Sequence, residues 1–400
     1  MVDCTPVSVD NVREDLSSKD ADERIKVCVR VRPLQGDIKD NQYAWAWEDN
    51  TIYPQQMSQI PYSYDRVFSP DNSNKDIFDS VVKDVVLQSL NGYNGCIFTY
   101  GQTSSGKTFT MNGNPSQPGI IPLSILYCFQ AMEEKFPDRK FNFRVSYVEV
   151  YNEQVKDLLS LESARIRIQH DPKQGIRLTG VKEPKVLNAE EAIAFLKVGE
   201  INRHISATGM NDTSSRAHTL FRLIVESEVG DDAGTSVRIS HLNLVDLAGS
   251  ENAKMTNSVG DRAIEAKFIN KSLLALSLIM QKLSDEKPGT RRKQYLPYRD
   301  SKLTRLLQTS LSGNANIAVI CTVSPNQRCF DETNDTLKFA ARAKKINTNA
   351  TIFERQLKSL IDDRDGDGPY FTEDEGAADS DTDSEGQVNE VSSLSYSSNL

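Results

Sequence analysis

The first regular pattern in the chain is Ile25-Lys26-Val27-Cys28-Val29-Arg30-Val31. Apolar side chains alternate there with others, which predicts a half-buried strand that Arg32-Pro33 ends. Upstream, residues 1–24 lack hydrophobic periodicity and read as a disordered leader. Helical spacing follows at Ile77, Phe78, Val81, Val82, Val85, Val86 and Leu90, just before the apolar run Cys96-Ile97-Phe98-Thr99-Tyr100. Alternation returns over Phe141–Tyr151. Leu220–Val229 and Val237–Leu247 read as two strands joined by the turn-rich Gly230–Gly234, and Asn316–Val323 as a further buried strand. Long helical patterns occupy 262–285, 301–311 and 333–346. Strands interleaved with helices predict one three-layer α/β domain, with a central, mostly parallel mixed sheet covered on both faces.

After Ile346 the pattern fades. Phe353, Leu357 and Leu360 keep a helical spacing that Asp362–Pro369 breaks, too short a run for a coiled coil, so dimerisation is not supported within these 400 residues. Residues 362–400 carry 12 acidic side chains and one basic, and read as an acidic, Ser-rich disordered tail. The net charge of −9 therefore sits in the two ends, and the stretch between them is mildly basic, compatible with an acidic partner. No run of about 18 apolar residues predicts a membrane span, and no signal peptide is visible. The six cysteines show no C-x-x-C spacing and read as reduced thiols of a cytosolic or nuclear protein.

Candidate chemistry centres on Gly101-Gln102-Thr103-Ser104-Ser105-Gly106-Lys107-Thr108, a full G-x-x-x-x-G-K-[ST] phosphate loop behind a predicted strand. Its glycines let successive backbone N–H groups turn inward around phosphates. Lys107 reaches the β- and γ-phosphates, and Thr108 offers a hydroxyl to Mg²⁺. Asn243-Leu244-Val245-Asp246 is an apolar strand ending in a carboxylate suited to Mg²⁺, and Asp246-Leu247-Ala248-Gly249 has the D-x-x-G spacing of a loop that senses the γ-phosphate. Between them, Asn211–His218 is a polar loop with hydroxyls for Mg²⁺ and water and an arginine for a carboxylate. Asn270-Lys271-Ser272-Leu273 lacks the aspartate of a guanine-reading N-K-x-D, which favours ATP. The four histidines show no metal-ligand spacing.

Together, Gly101–Thr108, the Ser214-Ser215-Arg216 core of Asn211–His218 and Asp246-Leu247-Ala248-Gly249-Ser250-Glu251 resemble the kinesin motor domain, a P-loop NTPase. The likeness spans about residues 25–346, through Val29–Pro33, Gly92–Gly95, Tyr147–Leu159, Ile269–Leu273, Tyr298–Arg305 and Phe339–Lys344. Ser240–Asp246 leans toward the kinesin-7, centromere-associated type. The resemblance implies a motor domain over 25–345, a neck linker with a short helix over 346–361, ATP and Mg²⁺ as ligands, microtubules as partner, and a place in the cytoplasm on microtubules or the spindle. It implies no nucleic-acid or membrane partner.

By position, the resemblance implies that Arg30, Arg32 and Pro33 line the adenine pocket with Phe109 stacking. Ser215 joins Thr108 and Asp246 at Mg²⁺, and Arg216 and Glu251 form a salt bridge in the closed state. Lys267, Lys271, Arg299, Lys302, Arg305 and the basic loop Arg291-Arg292-Lys293 meet tubulin. The implied activity is a microtubule-stimulated ATPase with neck-linker docking and plus-end movement; the alternative is a non-processive tether with the same ATPase site. Ala217 and Asn252 depart from the family's usual serine and basic residue, from which modestly slower turnover is expected.

Overall fold

The computed structural model describes residues 24–34, 43–55, 61–160, 162, 165–171, 175–208, 216–231, 234–251, 261–285 and 295–356. The leader up to residue 23, Ser215, Arg291-Arg292-Lys293, the end of the 346–361 segment and the acidic tail lie outside them.

The expected strands are present as β1 (Lys26–Val31), β6 (Gly95–Tyr100), β7 (Phe141–Tyr151), β12 (His218–Asp231), β13 (Gly234–Asp246) and β14 (Asn316–Val323). With β5 (Arg66–Phe68), β8 (Gln154–Asp157), β11 (Lys185–Val186) and β15 (Phe353–Gln356) they form one sheet, whose main path runs β11-β7-β12-β13-β6-β14-β1-β5. Pairing is parallel from β13 through β6, β14 and β1 to β5, and antiparallel among β11, β7, β12 and β13. Two smaller sheets, β2 (Trp45–Glu48) with β3 (Thr51–Pro54) and β4 (Tyr62–Ser63), and β9 (Arg167–Asp171) with β10 (Gly175–Thr179), have no counterpart in the sequence pattern.

Alternation along each strand feeds two cores, one on each face. Val27, Val29 and Val31 of β1 join one apolar cluster, and Cys28 joins the other. The first cluster is closed by α6 (Asp261–Ser284), α7 (Lys302–Leu306), α8 (Gln308–Leu311) and α9 (Phe330–Ala343). The second is closed by α2 (Lys83–Leu90), α4 (Ile120–Lys135) and α5 (Ala189–Thr208). Ahead of α2, α1 (Asn74–Ile77) is capped by Ser73, which accepts the Asp76 N–H, and a π-helical turn at Phe78–Val82 joins the two. Four cysteines, Cys28, Cys96, Cys128 and Cys321, are buried and free, and Cys329 is half-buried. Among the described residues no helix is long and apolar enough to cross a membrane.

Two expectations need correction. The helical pattern over 301–311 is not one helix: a 3-10 turn at Tyr298–Asp300 leads into α7, and Leu307, fully buried with ψ near zero, separates α7 from α8. The short helix expected after residue 346 begins as strand β15, because β13 offers unpaired backbone groups there: Ser236–Ile239 pair with Phe353–Gln356. The chain reaches that strand along a series of fixed points. Ile25 N–H donates to Ile346 O at 3.1 Å, Asn349 N–H to Gly313 O at 2.8 Å, and Thr351 N–H to Asn314 Oδ1 at 2.8 Å.

Candidate functional site

The site lies beyond the carboxyl ends of β6 and β13, where a parallel α/β sheet leaves a crevice. β6 delivers Gly101, at φ 152° and with its α-carbon so close to the Thr322 carbonyl that a Cβ would collide with it. The loop then turns through Ser104 at φ 60° and Gly106 at φ 104° into α3 (Lys107–Met111). It is braced from within: Ser105 Oγ donates to Gln102 O at 2.7 Å and lies 2.6 Å from Thr322 Oγ1. Lys107, nearly buried, donates through Nζ to Gly101 O at 2.9 Å and to Gln102 O at 2.8 Å. Burial pulls its pKa below the ordinary lysine range, and Asp246 and Glu251 oppose that shift.

Sheet register brings the second carboxylate element into place. Asp246 pairs with Thr99 across β13 and β6, and Thr99 Oγ1 donates to Asp246 Oδ1 at 3.2 Å. Thr108 Oγ1 donates to Asp246 Oδ2 at 2.6 Å, so the two groups expected at Mg²⁺ face one another. Asp246 is 2% exposed. Burial raises its pKa; Arg203, Thr108 and Lys107 pull it back. The loop that follows is clamped onto the phosphate loop: Ser250 N–H donates to Gly101 O at 3.0 Å, and Thr103 offers both its N–H, at 2.8 Å, and its hydroxyl to the Glu251 carboxylate. A Cβ on Gly249 would collide with Thr103 Oγ1 and that carboxylate, so any larger residue there has to displace the clamp.

Of the residues expected around adenine, Arg30 is buried beneath α3. Its Nη1 donates to Asn74 Oδ1 at 2.5 Å and Thr110 Oγ1 at 2.8 Å, and its guanidinium stands 4.9 Å from the centre of the half-buried Phe109 ring. Burial draws its pKa down to about 10. Pro33 is exposed, and Arg32 Nε and Nη1 are buried atoms with no hydrogen-bond partner, as is Gln102 Oε1. These orphaned polar atoms, the open side of Gly106, where a Cβ would meet nothing within 4 Å, and the facing Thr108 and Asp246 all fit a magnesium nucleotide.

Arg216 is half-buried in the turn just before β12. Among the basic side chains expected at tubulin, Lys271, Arg299 and Lys302 are exposed and Arg305 is half-buried, while Lys267 belongs to α6 one turn before Lys271. Ser301 caps α7 by accepting Leu303 N–H at 3.1 Å, and Glu153, at the β7–β8 turn, accepts Lys302 N–H at 2.8 Å.

Sequence reasoning placed Thr103 in the phosphate loop but missed its bonds to Glu251, and it missed Thr99 and a buried pair behind the site, Arg203 and Glu149, with Nε 3.8 Å from Oε1. Glu149 left a trace. It occupies an apolar-phase position of the alternating strand 141–151, and a carboxylate at such a position needs a buried partner.

The kinesin motor domain family matches residues 16–346. Kinesin-like protein KIN-7N of Arabidopsis thaliana is 42% identical over 83% of this chain and 40% of its own length. Kinesin-related protein 4 of Dictyostelium discoideum is 43% identical over 82% of this chain and 17% of its own length, so the chain spans less than half of these curated relatives. The solved structure of a fast kinesin superposes with a TM-score of 0.76 at 34% identity, covering 83% of this chain and 94% of that one. A KIF14 dimer in complex with a microtubule and AMP-PNP superposes at 0.75 with 32% identity, covering 86% and 100%.

Proposed function

The chain belongs to the kinesin motor domain family, and we propose that it is a microtubule-stimulated ATPase that couples hydrolysis to docking of the linker after residue 346 and to plus-end movement. The observation that carries this reading is the clamp between Ser250–Glu251 and the phosphate loop at Gly101 and Thr103, because it makes the position of one loop depend on what the other holds. Thr108 and Asp246, joined by Ser215, would hold Mg²⁺, which when bound neutralises phosphate oxygens during transfer.

Lys107 exchanges its two neutral carbonyl partners for phosphate oxygens, since charge-assisted hydrogen bonds are stronger. Gly249 then presents its N–H to the γ-phosphate. Glu251 leaves Thr103 for Arg216, a pairing that positions water only in the closed arrangement and so serves the transition state more than ground-state binding. Arg32, Pro33 and Phe109 line the base, with Arg30 supporting α3 from below.

Lys267, Lys271, Arg299, Lys302 and Arg305, with Arg291-Arg292-Lys293, form the tubulin-facing set, whose positive charge suits an acidic partner. Phosphate release measured with and without microtubules tests the enzyme, and gliding on polarity-marked microtubules tests direction. Turnover without stimulation removes the motor reading; stimulation without gliding leaves the tether.

A further inference from the structure

His218 is 3% exposed, the first residue of β12, and paired in register with Val150 of β7. Its ring joins two elements that no strand connects. Ala248 N–H donates to Nδ1 at 3.0 Å, and Nε2 lies 2.7 Å from Ser272 Oγ on α6. An amide can only donate, so Nδ1 carries no hydrogen and the ring proton sits on Nε2, pointed at the serine. An imidazolium would set two donors against each other at Ala248. Burial, with the Lys107 charge second, agrees by pulling the His218 pKa down to about 3.

We propose that His218 is a positioning residue that transmits movement of the Asp246–Gly249 loop to α6 through its two hydrogen bonds, from Ala248 N–H and to Ser272 Oγ. The inference rests on the motor reading above and supplies it with a connection. Ala248 sits one residue before Gly249, whose amide is placed at the γ-phosphate. Ser272 is 2% exposed on α6, beside the exposed Lys271 and two residues before Leu274, which is 60% exposed on the outward face.

The base of the imidazole is held by pairing with Val150 of β7, and the next residue, Thr219, is paired on both sides, so the ring has little freedom to follow. Bonds of 3.0 and 2.7 Å do not survive a shift of about 1 Å in either partner. A loop displacement therefore either carries α6 with it or trades one bonded arrangement for another, the discrete behaviour that lets a small change at one site be felt at a second.

The test uses Ser272→Ala, which removes the bond to His218 and touches neither strand nor loop, and His218→Phe, which keeps a ring and removes the bonds to both Ala248 and Ser272. Hydrogen exchange over 271–284 is compared in ADP-loaded and AMP-PNP-loaded protein, alongside basal and microtubule-stimulated ATPase. The wild type is expected to show different α6 protection with the two nucleotides. Ser272→Ala should retain its melting temperature and basal turnover within about twofold, and lose stimulated kcat by about fivefold, the factor that one ordinary buried hydrogen bond corresponds to. Its KM for microtubules should not move, and its α6 difference should shrink.

The inference is overturned by an α6 difference of wild-type size in Ser272→Ala, by no such difference in the wild type, or by basal and stimulated rates falling together. His218→Phe should show the larger loss of coupling; should it fail to fold, Ser272→Ala decides alone. The exchange measurements involve no microtubules. A wild type that microtubules fail to stimulate would count against the motor reading while the exchange result still decides the coupling.

Discussion

Thr108 Oγ1 donates to Asp246 Oδ2 at 2.6 Å, joining the end of the phosphate loop to the end of β13 across 138 residues of chain. Asp246→Asn should lower Mg²⁺-dependent nucleotide affinity by about 10–100-fold, as loss of a group that orients metal ligands does. Fluorescent ADP retention with Mg²⁺ against EDTA reads this, and equal retention by both proteins would refute it. The same substitution should help the fold. Burial raises the Asp246 pKa, so its carboxyl contributes stability below the unfolded pKa and loses that contribution as pH rises through the folded value. In nucleotide-stripped protein, the melting temperature of Asp246→Asn relative to wild type should climb as pH rises through the carboxylate range.

Gly249→Ala places a methyl against Thr103 Oγ1 and the Glu251 carboxylate. The clamp must then open or shift, and the Gly249 amide moves with it. Hydrolysis should fall by about 10–100-fold, as displacements of roughly 1 Å near a reacting group do, with ADP affinity within about twofold. Single-turnover hydrolysis and ADP titration separate the two, and a parallel fall in both would point to misfolding of the loop.

On β15, Glu354 accepts from Ser236 Oγ and from Arg238 Nε at 3.0 Å. The pair is partly exposed, so Glu354→Ala should weaken docking of residues 353–356 by only about two- to fivefold. Spin labels on the linker and the core would report it. The Ser236 hydroxyl first, then Arg238, lowers the Glu354 pKa. A depressed carboxyl contributes its stability above the unfolded pKa and loses it as pH falls through the folded one. Docking should thus stay constant around neutral pH and weaken only below the ordinary glutamate range.

Lys302 is exposed at the start of α7, where Ser301 fixes its direction. Lys302→Glu should weaken microtubule binding by about three- to tenfold at low salt, with a smaller deficit at high salt as screening removes the interaction. Co-sedimentation over a salt series measures both; a deficit that ignores salt would place Lys302 outside the contact.

What the amino-acid order determined by itself is what repeats or recurs within a few residues. Four major strands and the pattern leading into α2 followed from periods of 2 and 3.6, β6 and β14 from continuous apolar runs, and the glycines and Lys107 of the phosphate loop announce their chemistry in eight consecutive positions. Helix α4 escaped because Ile120–Phe129 is apolar on almost every side and shows no stripe, and the strand at Phe353 escaped because four residues carry too short a pattern. Tertiary structure alone decided that Glu251 meets Thr103 across 148 residues, that His218 meets Ala248 and Ser272, and that Leu307 divides a helical pattern in two. Those outcomes depend on which surfaces the sheet brings within about 3 Å of one another, and no local period encodes a distance between segments so far apart in the chain.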